Sequence, residues 1–281
     1  QPKSDIELSE INDLDDIDIS DKPSSSINKK DFLFNSASNL ADYSPIQLNF
    51  ESPLEEIKVD NAPSLIGSSG TLICGLTGIS VKLLNPSVDS VFPKEPIIFM
   101  KASSCINGPY DNIQIVSNSK KLDWEVELGV VIGKEAKHIN KSQAQEYILG
   151  YCIINDVSER EWQIEKIGQW TKGKSHDTYG PVGPFLVTKD DIKNVKNLNM
   201  SLDLNGIRMQ TGNTNKMIFN VDEIVFYVSK FMSLQPGDII TTGTPPGVGM
   251  GMKPQQFLKA GDKMKLSIEN LGEQNSKVVA L

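Results

Sequence analysis

The chain has 281 residues and a formal net charge of -8, which argues against a nucleic-acid partner because phosphate backbones are bound by clustered Lys and Arg. Hydrophobic residues make up 38% and charged residues 23% of the sequence, as in soluble globular proteins, and no stretch approaches the roughly 18 uncharged apolar residues of a membrane-spanning helix. The three cysteines, Cys74, Cys105 and Cys152, lie far apart, which predicts reduced thiols and a cytoplasmic protein.

Residues 1–69 are rich in Asp, Ser and Asn and contain an acidic stretch over residues 5–21. Such a stretch is typical of a solvated face or a mobile arm, and a partner-binding segment is the alternative. A glycine- and serine-rich joint follows at residues 66–70. We therefore predict a small N-terminal domain over residues 1–69 and a second domain over residues 70–281.

The second domain opens with an apolar run at residues 71–75 and continues as short strand-like segments between Gly, Pro, Asn and Asp. Strands are predicted where β-branched and aromatic residues cluster, at residues 97–100, 124–132, 149–154, 184–187, 200–204, 239–242 and 263–268. Helical spacing occurs at residues 141–147 and 221–232. Because the predicted strands outnumber the helices, we predict a β-rich α+β fold.

A pair of carboxylates stands out in the strand predicted at residues 124–132. Glu125 and Glu127 are two residues apart, so in a strand they point to the same side. Alone, this alternation is more typical of a solvent-facing strand. Apolar neighbours would instead carry both carboxylates into a cleft, where charge is stable only when paired or bound to a metal.

A third carboxylate follows the next predicted strand. That apolar segment ends abruptly at Asn155 and Asp156, and Asp156 would complete an all-oxygen site of the kind that Mg²⁺ or Mn²⁺ prefers. An Asx turn or a helix N-cap is the simpler interpretation of this position when it is taken alone.

Two loops complete the pattern. Residues 172–184 form a small-residue loop in which Lys174 would neutralise an enolate or a carboxylate, although a solvated loop lysine is the alternative. Residues 236–249 join a strand to a glycine-rich turn that offers backbone N–H groups and the Thr244 hydroxyl to an anionic substrate. This turn lacks the sequence of a P-loop or a dinucleotide site.

In this order and spacing, the segments 123–132, 150–163, 172–184 and 236–249 closely resemble the catalytic domain of the fumarylacetoacetate hydrolase family. The resemblance is strongest to its acylpyruvate and 2,4-diketo-3-deoxy-sugar-acid hydrolases, and it runs from about Thr71 to Gln274. It implies a mixed β-roll preceded by a small N-terminal domain, and a homodimer.

The resemblance also implies roles for particular residues. The family's metal ligands fall on Glu125, Glu127 and Asp156. Its substrate-facing positions fall on Arg160, Gln163, Lys174 and Thr244. In the family, the metal polarises both oxygens of a β-dicarbonyl or 2-oxo acid and stabilises the enolate that leaves when the C–C bond breaks. Mg²⁺ or Mn²⁺ is expected, and Ca²⁺ also suits oxygen ligands.

One part of the family pattern is missing. The family takes its general base from a lid segment that begins Gly-x-Asn-Tyr and continues with a His and, three residues later, a Glu. Without a gap, these two positions fall on Val81 and Leu84, which accept no proton, whereas a general base is typically worth roughly 10²- to 10⁴-fold in rate. We consider His176 as a replacement base, against the simpler interpretation of a loop histidine bonded to backbone, and predict His138 at the surface.

Three functions follow from these residues. The first is a metal-dependent enzyme that cleaves a C–C bond in a small 2-oxo or 2,4-dioxo acid. The second uses the same metal and enolate without activated water, as a decarboxylase, a tautomerase or isomerase, or a cyclase. The third is a noncatalytic homologue that binds a ligand and meets a partner through its acidic N-terminal segment.

Overall fold

The computed structural model describes residues 72–76 and 93–281 of the chain. The predicted N-terminal domain over residues 1–69 and the lid positions Val81 and Leu84 lie outside these residues. Among the helices that are described, none has the length and apolar character needed to cross a bilayer.

Strands provide most of the regular structure in the described part of the chain. They are β1 (Leu72–Leu76), β2 (Ile97–Lys101), β3 (Ile106–Asn107), β4 (Ile113–Ile115), β5 (Leu122–Asp123), β6 (Val126–Ile132), β7 (Ile148–Asn155), β8 (Ser158–Glu159), β9 (Gly180–Pro181), β10 (Val187–Thr188), β11 (Asn199–Leu204), β12 (Ile207–Asn213), β13 (Ile239–Thr241), β14 (Lys263–Ile268) and β15 (Gly272–Ala280). The α-helices are α1 (Thr171–Lys174) and α2 (Val221–Val228). Other helical segments are of the 3-10 type at Ser103–Cys105, Lys141–Tyr147, Thr214–Lys216 and Gly249–Gly251, and of the π type at Glu161–Glu165.

The strands form two main sheets. One has six strands in the order β10-β7-β6-β13-β1-β2, and the other has five in the order β12-β11-β14-β15-β4. Most neighbours are antiparallel, but β1 pairs with β13 and β15 pairs with β4 in parallel. The predicted β-rich α+β fold is therefore confirmed as a mixed, strand-rich architecture.

The antiparallel pair β6–β7 lies inside the six-stranded sheet and carries the site. All seven residues of β6 are buried, and in β7 only Leu149 is exposed. A strand that is covered on both faces is expected to read as a nearly continuous apolar run. The polar residues at the site end of this ladder, Glu127 and Asn155, are therefore carried into the interior.

Most predicted elements are confirmed, and the differences have local causes. The strand predicted at 184–187 is mostly wrong, because Pro184 has no N–H to donate to a sheet and Gly183 turns the chain with φ of 112°. Pairing with β7 begins only at Val187. The helix predicted at 221–232 starts at a capping box formed by Asn220 and Glu223 and ends early, at Val228.

Candidate metal centre and active site

The structure brings the three predicted metal carboxylates together. Glu125 precedes β6, Glu127 lies within β6, and Asp156 directly follows β7. One carboxylate oxygen from each residue lies within 4.8 Å of the others, and all three side chains are buried. The Asp156 N–H donates to the Glu125 carbonyl oxygen at 2.9 Å, so the end of the β6–β7 ladder holds the backbones of two of these residues in contact.

Two lysines neutralise one side of this triad. The Lys174 Nζ lies 2.8 Å from the Glu125 Oε2 and 2.6 Å from the Asp156 Oδ2. The Lys101 Nζ lies 2.8 Å from the Asp156 Oδ1 and also donates to the Lys174 carbonyl oxygen. Burial by itself would raise the pKa of Asp156, but Lys101 and Lys174 outweigh it and lower this pKa to about 2.

Arg160 supports Glu125 from the other side. Its Nη2 lies 2.7 Å from the Glu125 Oε1, its Nε lies 2.9 Å from the Asp123 Oδ2, and its Nη1 donates to the Gln163 Oε1 at 3.0 Å. Burial opposes the charge on Arg160, yet Glu125 and Asp123 keep the pKa of the guanidinium raised. Two of the four residues predicted to face substrate, Arg160 and Gln163, are thus bonded to each other beside Glu125.

Glu127 has a different environment from the other two carboxylates. Its Oε2 accepts the N–H of Gly243 at 2.8 Å, while its Oε1 is buried without a hydrogen-bond partner. Burial, and next the charges of Asp156 and Glu125, raise the pKa of Glu127 well above its usual range. An unpaired buried carboxylate oxygen is unfavourable, and carboxylate oxygens are the ligands of hard divalent cations. The residues present therefore fit a divalent metal ion.

Thr244 lies in the turn that follows β13. Its hydroxyl donates to the Val126 carbonyl oxygen at 2.9 Å and accepts the Gln210 Nε2 at 2.8 Å. The Gln210 Oε1 in turn accepts the Val126 N–H at 3.0 Å. The Thr244 hydrogen is thus directed at the backbone beside Glu127 in this structure.

His176 lies between two aromatic rings. Its ring centroid is 4.6 Å from that of Trp162 and 5.2 Å from that of Tyr179. Burial lowers the pKa of His176, and its Nε2 is buried without a hydrogen-bond partner. Within the described residues, no hydrogen bond or ion pair joins His176 to the carboxylate triad. His138 is exposed, as predicted.

The sequence did not predict three residues that belong to the site, which are Lys101, Asp123 and Gln210. Lys101 ends an apolar strand in which Phe99, two residues earlier, is also buried, so the strand alternation alone places this lysine on the inner side. Asp123 is the last residue of β5 and Gln210 lies in the middle of β12, and nothing in their spacing distinguishes them from polar residues at the surface.

Comparison with known proteins identifies the family. Residues 79–279 match the family described as "Fumarylacetoacetate (FAA) hydrolase C-terminal". The chain belongs to the fumarylacetoacetate hydrolase family. The family predicted from the four sequence segments is therefore confirmed, and with it the class of fold.

Proteins similar to this member of the fumarylacetoacetate hydrolase family include ones that are named as hydrolases and one that is named as an isomerase. A protein of Burkholderia cenocepacia (strain HI2424), provisionally named a hydrolase, is 57% identical over 183 residues, and the match spans 65% of each chain. Fumarylacetoacetate hydrolase from Exiguobacterium antarcticum is 36% identical over 78% of each chain, with a TM-score of 0.70. A 2-hydroxyhepta-2,4-diene-1,7-dioate isomerase from Mycobacterium marinum is 36% identical over 75% of each chain, with a TM-score of 0.65.

Proposed function

We propose that this chain is a divalent-metal-dependent enzyme that cleaves a C–C bond in a small 2-oxo or 2,4-dioxo acid, as an acylpyruvate hydrolase does. The observation that carries the proposal is the buried triad Glu125, Glu127 and Asp156, in which the Glu127 Oε1 has no hydrogen-bond partner. When bound, Mg²⁺ or Mn²⁺ would polarise the substrate oxygens and stabilise their developing negative charge.

The cationic side chains would direct this charge. Lys174 is buried, and although burial alone would lower the pKa of Lys174, Asp156 and Glu125 keep it raised. We propose that its ammonium group faces the developing enolate. Thr244 would also stabilise the enolate, by donating its hydroxyl hydrogen to a substrate oxygen instead of to the Val126 carbonyl oxygen. In a site closed to water, these interactions are stronger than in solution.

Arg160 and Gln163 would position the substrate carboxylate or the attacking water. Their bond at 3.0 Å orients the Gln163 amide, and the same guanidinium keeps Glu125 in place for the metal. Hydrolysis also needs a base, and we propose His176 for this step. Because burial lowers the pKa of His176, its imidazole is neutral near pH 7, and its unpaired Nε2 is free to accept a proton.

A second candidate is isomerisation or decarboxylation of the same class of acid, through an enolate that needs no activated water. The sequence favours it at one point, because Val81 and Leu84 occupy the positions at which the family resemblance expects a His and a Glu. The M. marinum structure, which is named as an isomerase, is consistent with such chemistry on this fold.

Location and assembly are part of the same proposal. Cys105 and Cys152 are buried and free, and burial raises the pKa of both thiols, that of Cys152 to about 12. Such unreactive thiols suit a reducing compartment, and we propose the cytoplasm. We also propose the homodimer that the family resemblance implies.

The test is an assay of the purified protein with acylpyruvates and oxaloacetate in Mg²⁺, Mn²⁺ or EDTA, following substrate loss and CO₂ release. Metal-dependent cleavage, abolished in Glu127→Gln and kept in the surface control Glu273→Gln, is the expected result. CO₂ release or isomerisation without cleavage would favour the second candidate. Ligand binding without turnover under any metal would instead indicate a noncatalytic homologue.

A further inference from the structure

Asp123 is a buried carboxylate to which the sequence assigned no role. Its Oδ1 accepts the N–H of Trp124 at 2.8 Å and that of Gly249 at 2.7 Å. Its Oδ2 accepts the N–H of Met250 and the Arg160 Nε, both at 2.9 Å. Four donors therefore converge on one fully buried carboxylate, which is the usual number of good lone-pair positions that such a group offers.

These donors come from a turn that runs beside the metal carboxylates. The turn over residues 243–250 is bonded at one end to Glu127, through the Gly243 N–H. Near its other end, the Trp124 Nε1 donates to the Gly247 carbonyl oxygen at 3.1 Å. Asp123 adds to this second attachment by accepting the N–H groups of Gly249 and Met250. Segment 123–127 and the turn are thus joined along their length, on both sides of Glu125.

Glu125 reaches this framework through Arg160. Within the described residues, no hydrogen bond joins Glu125 to the turn directly. The guanidinium lies between the two carboxylates, with its Nη2 2.7 Å from the Glu125 Oε1 and its Nε 2.9 Å from the Asp123 Oδ2, and this rigid planar group links their positions. Lys174 holds the other oxygen of Glu125, and the position of the Glu125 Oε1 depends on where Asp123 holds the Nε of Arg160.

The local packing leaves this arrangement little freedom. A Cβ atom built on Gly249 would lie 1.9 Å from the Gln256 carbonyl oxygen and 3.0 Å from the Asp123 Oδ1. Glycine is thus required for the backbone to approach the carboxylate closely. The Gly249 carbonyl oxygen also accepts the N–H groups of Met252 at 3.2 Å and Gln256 at 3.1 Å, so the residues that follow are bonded to the same position.

We infer that Asp123 is a positioning residue, which orients Arg160 and the turn at Gly249–Met250 so that Glu125 presents its carboxylate to the divalent metal. The inference rests on the proposed metal dependence. Residues that hold a metal ligand in place in this way orient it, and their loss typically lowers metal affinity by roughly 10- to 100-fold. A purely structural Asp123 would affect stability alone.

The test compares Asp123→Asn with Asp238→Asn by titrating the metal-free proteins with Mn²⁺ and measuring the dissociation constant by calorimetry. Asn keeps the shape of Asp, but its amide nitrogen must face two of the four N–H donors, whichever oxygen it replaces. Asp238 is a matched control, since it is also buried and accepts a backbone N–H, from Gln235 at 2.7 Å. Circular dichroism establishes that each variant is folded.

We expect Asp123→Asn to weaken Mn²⁺ binding by roughly 10- to 100-fold, with the control at the wild-type value. Arg160→Lys should weaken Mn²⁺ binding as well. The double variant should bind Mn²⁺ no more weakly than whichever single variant has the lower affinity, because both changes break the same connection between Asp123 and Arg160. Wild-type affinity in folded Asp123→Asn would overturn the inference and leave the proposed function standing. A wild-type protein that binds no divalent cation would overturn both.

Should Asp123→Asn not fold, Asp123→Glu provides the decisive measurement. It retains the charge and moves the carboxylate by one methylene, away from the position that Arg160 requires. Weakened Mn²⁺ binding in this variant supports the positioning role, and unchanged binding overturns it.

Discussion

The two sides of the carboxylate triad are built differently. Asp156 and Glu125 are surrounded by cations, with Lys101, Lys174 and Arg160 all within 2.8 Å of their oxygens. Glu127, across the same small site, has one backbone N–H and no cation in direct contact among the described residues. The first side is arranged before any metal binds, whereas the second lacks a positive charge that a metal would supply.

The largest expected effect comes from breaking the side that is already neutralised. Asp156→Asn leaves Lys101 and Lys174 buried with a missing partner, and removing one member of a buried ion pair typically costs about 3–5 kcal/mol. We expect the free energy of unfolding in EDTA, measured with urea, to fall by about this amount. A loss no greater than that of Glu273→Gln at the surface would contradict the comparison.

The pH dependence of this effect has a defined sign. The pKa of Asp156 in the folded protein is lowered from 3.8 to about 2. Its contribution to stability is therefore fully present above pH 3.8 and is lost as the pH falls towards 2. The difference between wild type and Asp156→Asn should narrow over that acidic range.

A smaller effect is expected from displacing Lys174 without changing its charge. Gly173 precedes it in α1, and a Cβ atom there would lie 2.5 Å from the Glu159 carbonyl oxygen and 2.6 Å from the Gln163 N. Gly173→Ala should therefore push α1 outward and cost about 1–3 kcal/mol, as overpacking typically does. Gly168→Ala is the matched control, because its Cβ would meet nothing within 4 Å. Equal urea midpoints for the two variants would show that α1 is free to move.

The smallest effect on stability, and one of opposite direction, is expected at Glu127. Its raised pKa means that the metal-free protein loses stability as the pH rises above the usual 4.5 and through the folded-state value. Glu127→Gln removes this loss. In EDTA at pH 8 the variant should be as stable as wild type or more stable, with the difference vanishing below pH 4.5.

Addition of Mn²⁺ should reverse that order. A ligand that binds only the folded state raises its stability by mass action, so wild type should melt at a higher temperature with Mn²⁺ than without it. Glu127→Gln should respond far less. An equal rise in melting temperature for both proteins would mean that Glu127 is not a ligand.

Part of this contrast was predictable from the sequence. The spacing of Glu125 and Glu127, and the position of Asp156 after an apolar run, follow from strand periodicity and are local. What separates the two sides is not local, because Lys101 and Arg160 come from separate segments and meet the carboxylates only through the sheet. The partners of the turn's N–H groups are also determined by contacts between segments that are distant in sequence. The sequence assigned the turn's N–H groups to a substrate, whereas Gly243, Gly249 and Met250 donate theirs to Glu127 and Asp123.

Because the N–H groups of this turn are bonded to Glu127 and Asp123, the turn is a poor place to introduce substitutions in protein engineering. Changes within residues 243–250 would disturb the hydrogen bonds that this turn donates to Glu127 and Asp123. Variation is better directed at a nearby stretch with side chains in solvent, such as the one that follows Gln163, where Ile164 is 45% and Ile167 is 90% exposed. A library built there would leave the hydrogen bonds between the turn and segment 123–127 intact.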